Sequence, residues 1–406
     1  MIRQGFLRMR PEGEEEMSMT VKSYSLYTTQ IDDADAAAEE IRRQLDEISL
    51  LANSVGILTC HYDYLAGGGV AVVAKMLPFP VVGYTTFYQA VPQHNGLFEL
   101  CVTVLTSDSV RFGTAFASAD SGQSPYDIIA DAYGEACRDE NDPPSLLMGF
   151  VSAARPISGD AFLRILDETT GGIPCFGAVA ISDQDDGQDT YVLAGARQTE
   201  VGFVLLAFFG EVDSHFYYGS FTEEMMLSVT ATVTDSEGAV VKKLNKLDAV
   251  TFLEKSGLEI NAESRSGLVT IPFLHRRPDE EAAVARTMVD FTDEGHAVFF
   301  GEIPENSSLR IGYATPDDLL RVTAATAQEA IAESGERAIY FMFSCVGRYL
   351  TLGLDSEVEL RRATQGLPAD ASFLATYVGG EICPVHVGGQ LLNRYHNSSF
   401  VICALR

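Results

Sequence analysis

The apolar residues of this chain come in short runs separated by glycine, proline and polar or charged residues. Nothing in it approaches the roughly 18 consecutive apolar residues of a membrane-crossing helix. Runs at 22–29, 55–62, 80–84, 99–106, 110–117, 146–152, 173–181, 190–196 and 201–209 read as strands. Helical stretches at 32–50, 65–77, 124–139 and 159–168 fall between them, the third with Pro125 at its favoured first position. The runs 99–106 and 110–117 are split by a short polar turn, which predicts a hairpin.

The second half repeats the mixture. Strands at 225–234 and 240–244 flank the turn Asp235-Ser236-Glu237-Gly238, and a helix is predicted over 247–256. Strands follow at 269–274, 297–300 and 309–314. Thr315 and Pro316 open a long helix to 334, as N-cap and first residue. A strongly apolar strand at 338–345 stops at Gly347-Arg348. A helix at 356–364 and strands at 372–378 and 398–405 complete the chain. With 406 residues and roughly 100–200 per domain, this predicts two mixed-sheet α/β domains in tandem. The domains are placed at 20–215 and 216–406, joined between Glu211 and Tyr218.

Charge narrows the partners. Lys and Arg number 28 against 57 Asp and Glu, a formal net charge of -29, so phosphate backbones and anionic lipid are repelled. No nucleic acid and no membrane partner is expected. Seven scattered cysteines with no Cys-x-x-Cys pair read as reduced thiols, and residues 1–19 lack an apolar signal core, so the expected location is cytoplasmic. The acidic segment 183–189 reads as a hairpin tip, because Gly187 and Ala194 do not fit the sixth and twelfth places of a calcium loop. No phosphate-cradling glycine motif is present. Cys383 and His386, three apart, would face opposite ways if the chain were extended and converge only if Pro384 makes a turn, so neither metal nor cofactor is expected.

Chemically capable residues gather at strand ends in the second half. Phe343-Ser344-Cys345-Val346-Gly347-Arg348 brings a thiol and a guanidinium to a sheet rim, where open α/β sheets bind ligands. Gly379-Gly380-Glu381-Ile382 adds a carboxylate beside permissive backbone, and Tyr395-His396-Asn397-Ser398-Ser399 enters the last strand. Each has an ordinary reading: a core thiol, a surface ion pair, a solvated turn, a cap. Together they allow a cysteine-dependent hydrolase or transferase with Cys345 as nucleophile and His396 as base. In the first half, Val82-Gly83-Tyr84-Thr85-Thr86 and Pro174-Cys175-Phe176-Gly177-Ala178 share a pattern of apolar strand, glycine, then small or hydroxyl residues. Those glycines admit either a ligand or a neighbouring backbone.

These motifs resemble the FIST family, which pairs a FIST N with a FIST C domain in intracellular sensory proteins. Pro80 to Thr86 and Ile173 to Ala180 are similar to the FIST N glycine motifs. Residues 233–258, Phe343 to Arg348, Gly380 to Ile382 and His396 to Ser398 are similar to the opening and closing motifs of FIST C. Tyr84 and Ala178 depart from the pattern, standing where a small residue and a glycine are expected. The resemblance implies a non-enzymatic sensor of a small polar metabolite, proposed to be an amino acid, passing its signal to a separate output protein or through a homo-oligomer. The ligand set it suggests is Arg348 for a carboxylate, Glu381 for an ammonium, and Asn397, His396, Cys345, Thr85, Thr86, Tyr84 and Gly83 around them. A scaffold with no small ligand is the third reading.

Overall fold

The structure, a computed structural model, describes residues 21–119, 122–152, 158–183, 189–278, 280, 283–335 and 337–406. The first twenty residues and most of the acidic segment 183–189 lie outside them. Helices and mixed sheets together make an α/β protein. Among the described residues the strands form four sheets, and three of these follow one plan.

The first unit runs from strand Lys22–Thr28 through helix Ala34–Leu45 to strand Asn53–Cys60. It then crosses by helices to the parallel strand Val81–Thr85 and closes, after a hairpin, with Leu100–Ser107. The second repeats this with Arg111–Ser118, helix Pro125–Ala136, strand Leu146–Val151, helix Gly159–Thr170, parallel strand Cys175–Val179 and closing strand Gly202–Phe209. The third uses Ser214–Gly219, helix Pro316–Ser334, strand Ile339–Cys345, helices Val346–Leu352 and Ser356–Thr364, parallel strand Ser372–Val378 and closing strand Phe400–Leu405. Between its first strand and its helix it carries the fourth, eight-stranded antiparallel sheet, strands Met226–Glu237 to Ser308–Gly312.

The hairpins bind the units into a ring. Each follows the parallel strand of its own unit and joins the sheet of another. Tyr88–Val91 and His94–Leu97 extend the third sheet, Gly380–Val387 and Gln390–His396 extend the second, and Val192–Ala194 and Arg197–Thr199 extend the first. The three sheets face a shared core that includes Val82, Tyr84, Phe150, Phe176, Phe341 and Phe343, while the helices pack outside. Burial of each such aromatic contributes about 1.5–3 kcal/mol, so closure of the ring rests mainly on this core.

Glycine is required where parallel strands meet. A Cβ on Gly83 would lie 1.7 Å from the Leu58 carbonyl oxygen, and one on Gly177 would lie 1.8 Å from that of Gly149. The shared glycine pattern of the first half therefore serves close backbone approach between neighbouring strands.

Four expectations are corrected. Strands Leu100–Ser107 and Arg111–Ser118 are not a hairpin, since one pairs with Lys22–Thr28 and Asn53–Cys60 and the other with Gly202–Phe209. The helix expected over 65–77 is broken into Tyr62–Ala66 and Gly69–Met76, with Gly68 between them at φ +78°. Gly347 and Arg348 do not end the 338–345 segment in a turn but lie in the helix that follows it. The hairpin Gly380–Val387 with Gln390–His396 was not expected as strands at all.

Candidate functional site

The strand Ile339–Cys345 is apolar and wholly buried, which fixes the end of the third sheet where helix Val346–Leu352 begins. Arg348, in the first turn of that helix, is carried inward and is 1% exposed. A buried guanidinium needs a partner, and Glu359 of the next helix supplies it. Nε and Nη2 donate to Glu359 Oε1 at 2.9 and 2.6 Å, and Nη2 also donates to Thr323 Oγ1 and to the Leu319 carbonyl. Glu359 is saturated, accepting further from Thr323, Ser344 and Tyr377 at 2.7, 2.8 and 2.9 Å. Arg348 Nη1 is left buried without a partner.

The second group is built by the Gly380–His396 hairpin and the turn into the last strand. Glu381 lies directly opposite His396, which puts both side chains on one face of the sheet. Glu381 Oε2 accepts from the Ser399 amide at 3.2 Å and from the Ser399 hydroxyl, and the Cys345 thiol bonds the same carboxyl. Oε1 has no partner. Burial outweighs these bonds and the nearby Arg348 charge, and pushes Glu381 up to about 8. The same burial, with the Glu381 charge beside it, raises Cys345 well above the usual thiol range.

His396 Nε2 faces the Cys383 carbonyl at 3.0 Å, so this nitrogen carries the proton and Nδ1 offers a lone pair. Burial holds the ring neutral, down to about 3, with Tyr218 packed on it at a centroid distance of 4.3 Å. Asn397 donates to the His396 carbonyl while its Oδ1 is unpartnered. Ser398 is at φ +51°, a conformation non-glycine residues rarely hold, and it turns the chain so that Ser399 meets Glu381.

The structure thus brings Cys345, Glu381, His396 and Asn397 into one buried neighbourhood, with the Arg348 charge close enough to act on Glu381. It buries Gly83, Tyr84, Thr85 and Thr86 along and just past the strand Val81–Thr85, with Tyr84 in the ring core, and their side-chain polar atoms are occupied. Tyr84 shares a hydrogen bond with Thr376, Thr85 bonds the Tyr191 backbone, and Thr86 donates to the Tyr377 carbonyl at 2.8 Å. No hydrogen bond joins Cys345 to His396 among the described residues. Glu359 is not marked by any motif in the sequence, and Ser399 is marked only as part of the run that enters the last strand. The spacing of Glu359 from Arg348 gives no signal, because the two sit on separate helices brought together by the turn at Gly353.

Comparison with known proteins follows from this architecture. The FIST N domain model matches residues 54–247 and the FIST C domain model matches residues 249–384. FIST domains are small-ligand sensory domains in signal transduction. No curated protein sequence matches the chain. Among solved structures, a cyanuric acid hydrolase from A. caulinodans aligns over 96% of this chain and 100% of its own, at 11% identity and TM-score 0.37. Phosphoribosylformylglycinamidine synthase II from Thermotoga maritima aligns over 95% and 72%, at 9% identity and TM-score 0.21. Likenesses this distant carry no functional argument, whereas the two domain models together span most of the sequence: the chain belongs to the FIST family.

Proposed function

We propose that this protein senses a free amino acid, held by Arg348, Glu381, His396 and Asn397. The observation that carries the reading is the set of buried polar atoms these residues leave unpartnered: Arg348 Nη1, Glu381 Oε1, His396 Nδ1 and Asn397 Oδ1. One is a donor, and three are acceptors once Glu381 is ionised. An ammonium has three N–H donors, and a carboxylate oxygen on the same carbon can accept from the guanidinium. Because Glu359 already holds two nitrogens of Arg348, the carboxylate is met by one N–H and not by a bidentate fork.

A binding role fits these side chains better than covalent catalysis. A thiol pushed upward by burial is a poor nucleophile, and a neutral His396 turned to a carbonyl is not poised to activate it. The signal would pass to a separate output protein or through self-association in the cytoplasm. We further infer a domain boundary near residue 215. In support, the chain leaves the second sheet after Phe209 and enters the third at Ser214.

The test is a thermal-shift screen of the twenty amino acids against decarboxylated and deaminated analogues. A true ligand at about 100 times its Kd stabilises by about 2.7 kcal/mol, a shift of a few degrees. Glu381→Gln should fold normally and lose that shift. A shift kept in Glu381→Gln, or given equally by the analogues, would remove the amino acid from this site.

A further inference from the structure

The site's four unpartnered atoms are shut away from solvent, and what shuts them in includes the inserted sheet of the third unit. From its strand Val284–Arg286, Arg286 donates to the Tyr395 carbonyl at 2.8 Å and to Asp160 Oδ1 at 2.9 Å. The next residue, Thr287, shares a 2.8 Å hydrogen bond with Ser398, beside the Ser399 that holds Glu381. Ala285 donates to the hydroxyl of Tyr218, whose ring lies on His396. From the short turn Arg265–Thr270, the Val269 carbonyl comes within 3.2 Å of where a Cβ on Gly347 would be. The Ser398 hydroxyl and Cys345 sulfur approach that same point at 3.0 and 3.9 Å. The insertion therefore touches the site on several sides.

The seam between the insertion and the ring has apolar contacts at Phe300, which packs on Tyr395, and at Met226, which packs against Leu319 and Leu352, and its remaining contacts are polar. Glu302 donates its amide to Asp160 Oδ2 at 2.8 Å, and Arg164 pairs with Glu302 at 3.0 Å. Arg394 pairs with Glu280 at 2.9 Å. A cleft of about 280 Å³ opens on this seam, lined by Asp160, Arg164, Asp167, Arg277, Arg394 and Tyr395 among others. Arg277 comes only to 3.8 and 3.9 Å of the Asp160 and Glu280 carboxylates, too far to hydrogen-bond either. Interfaces within a chain that rest largely on ion pairs and hydrogen bonds separate more readily than apolar ones.

We propose that the inserted sheet is a lid that opens along this seam, latched by Arg286–Asp160 and Thr287–Ser398, and that a small zwitterion enters past the Arg277 guanidinium. This rests on the Cys345–Asn397 neighbourhood being the ligand site. Lid and ligand are nevertheless separable, because Cys345 reports access without any ligand. The experiment is native-state alkylation of the full chain, followed for each cysteine by mass spectrometry. Cys60 and Cys101, buried in the first unit, serve as internal controls for global unfolding.

Thr287→Val and Asp160→Asn should each speed iodoacetamide labelling of Cys345 roughly tenfold or more while the controls keep their wild-type rates. Thr287→Val keeps the residue's shape and guards against Asp160→Asn failing to fold. Adding Arg277→Gln to the opened variant should lower the iodoacetate-to-iodoacetamide rate ratio at Cys345 by roughly 3- to 10-fold, as expected for a focusing charge at an entrance. Unchanged Cys345 labelling in Thr287→Val, or a rise shared by Cys60 and Cys101, would overturn the lid. An unchanged ratio would overturn the entrance. Should the lid open while the amino-acid screen gives nothing, the lid stands and the ligand assignment falls.

Discussion

Glu381 is a carboxylic acid kept largely protonated at neutral pH by burial, and the energetic consequence has a definite sign. Its folded-state value of about 8 stands above the ordinary carboxylate value of 4.5. The folded state therefore holds a proton that the unfolded state has released, so this contribution is complete below about pH 4.5 and is lost as pH rises toward 8. His275 and His396, both held neutral down to about 3, act oppositely: their contribution is present above about 6.5 and lost as pH falls. Glu381→Gln should leave stability at pH 5 nearly unchanged and raise it at pH 8.5, by an amount on the order of 3–5 kcal/mol. Denaturant unfolding at the two pH values reads this directly, and equal effects at both would mean the carboxyl is not strongly perturbed. Residue types at strand ends were enough to single out Cys345, Arg348, Glu381, His396 and Asn397. Nothing in the sequence assigns Glu359 to Arg348, because their meeting depends on how two short helices pack.

At the scale of elements, glycines at the parallel strand pairs separate packing from ligand contact. Gly83→Ala and Gly177→Ala should each destabilise by roughly 3 kcal/mol or more, because the obstructing atoms are backbone carbonyls that cannot turn aside. Gly134→Ala, in the helix Pro125–Ala136 with nothing within 4 Å of its Cβ position, should instead stabilise by about 0.5–1 kcal/mol. Urea midpoints of the three variants decide this, and a mild Gly83→Ala would show that the strands have room for a side chain. Most strands and helices were legible from period and punctuation. The misread hairpin over 99–117 shows the limit, since alternation marks a strand but does not name its partner. The Gly380–His396 hairpin escaped notice because glycine, proline and histidine interrupt its β pattern, although it carries two residues of the proposed site.

The whole molecule is a ring of three like-built units whose exchanged hairpins tie each sheet to another unit, with one unit enlarged by the inserted sheet. That plan was invisible in the sequence, because it resides in strand order and not in repeated residues. It also explains how one neighbourhood draws on distant segments: Gly380–Val387 lies in the second sheet while Cys345 ends the third. The central claim is that an ammonium docks on an ionised Glu381, and proton release tests it most directly. At pH 7 the free site is mostly protonated, so binding should release most of a proton per amino acid bound. The measurement is calorimetric titration of the amino acid identified by the screen, run in two buffers of different ionisation enthalpy. Heats that differ between buffers by close to one proton would establish the pairing. Heats independent of buffer, with binding intact, would contradict it.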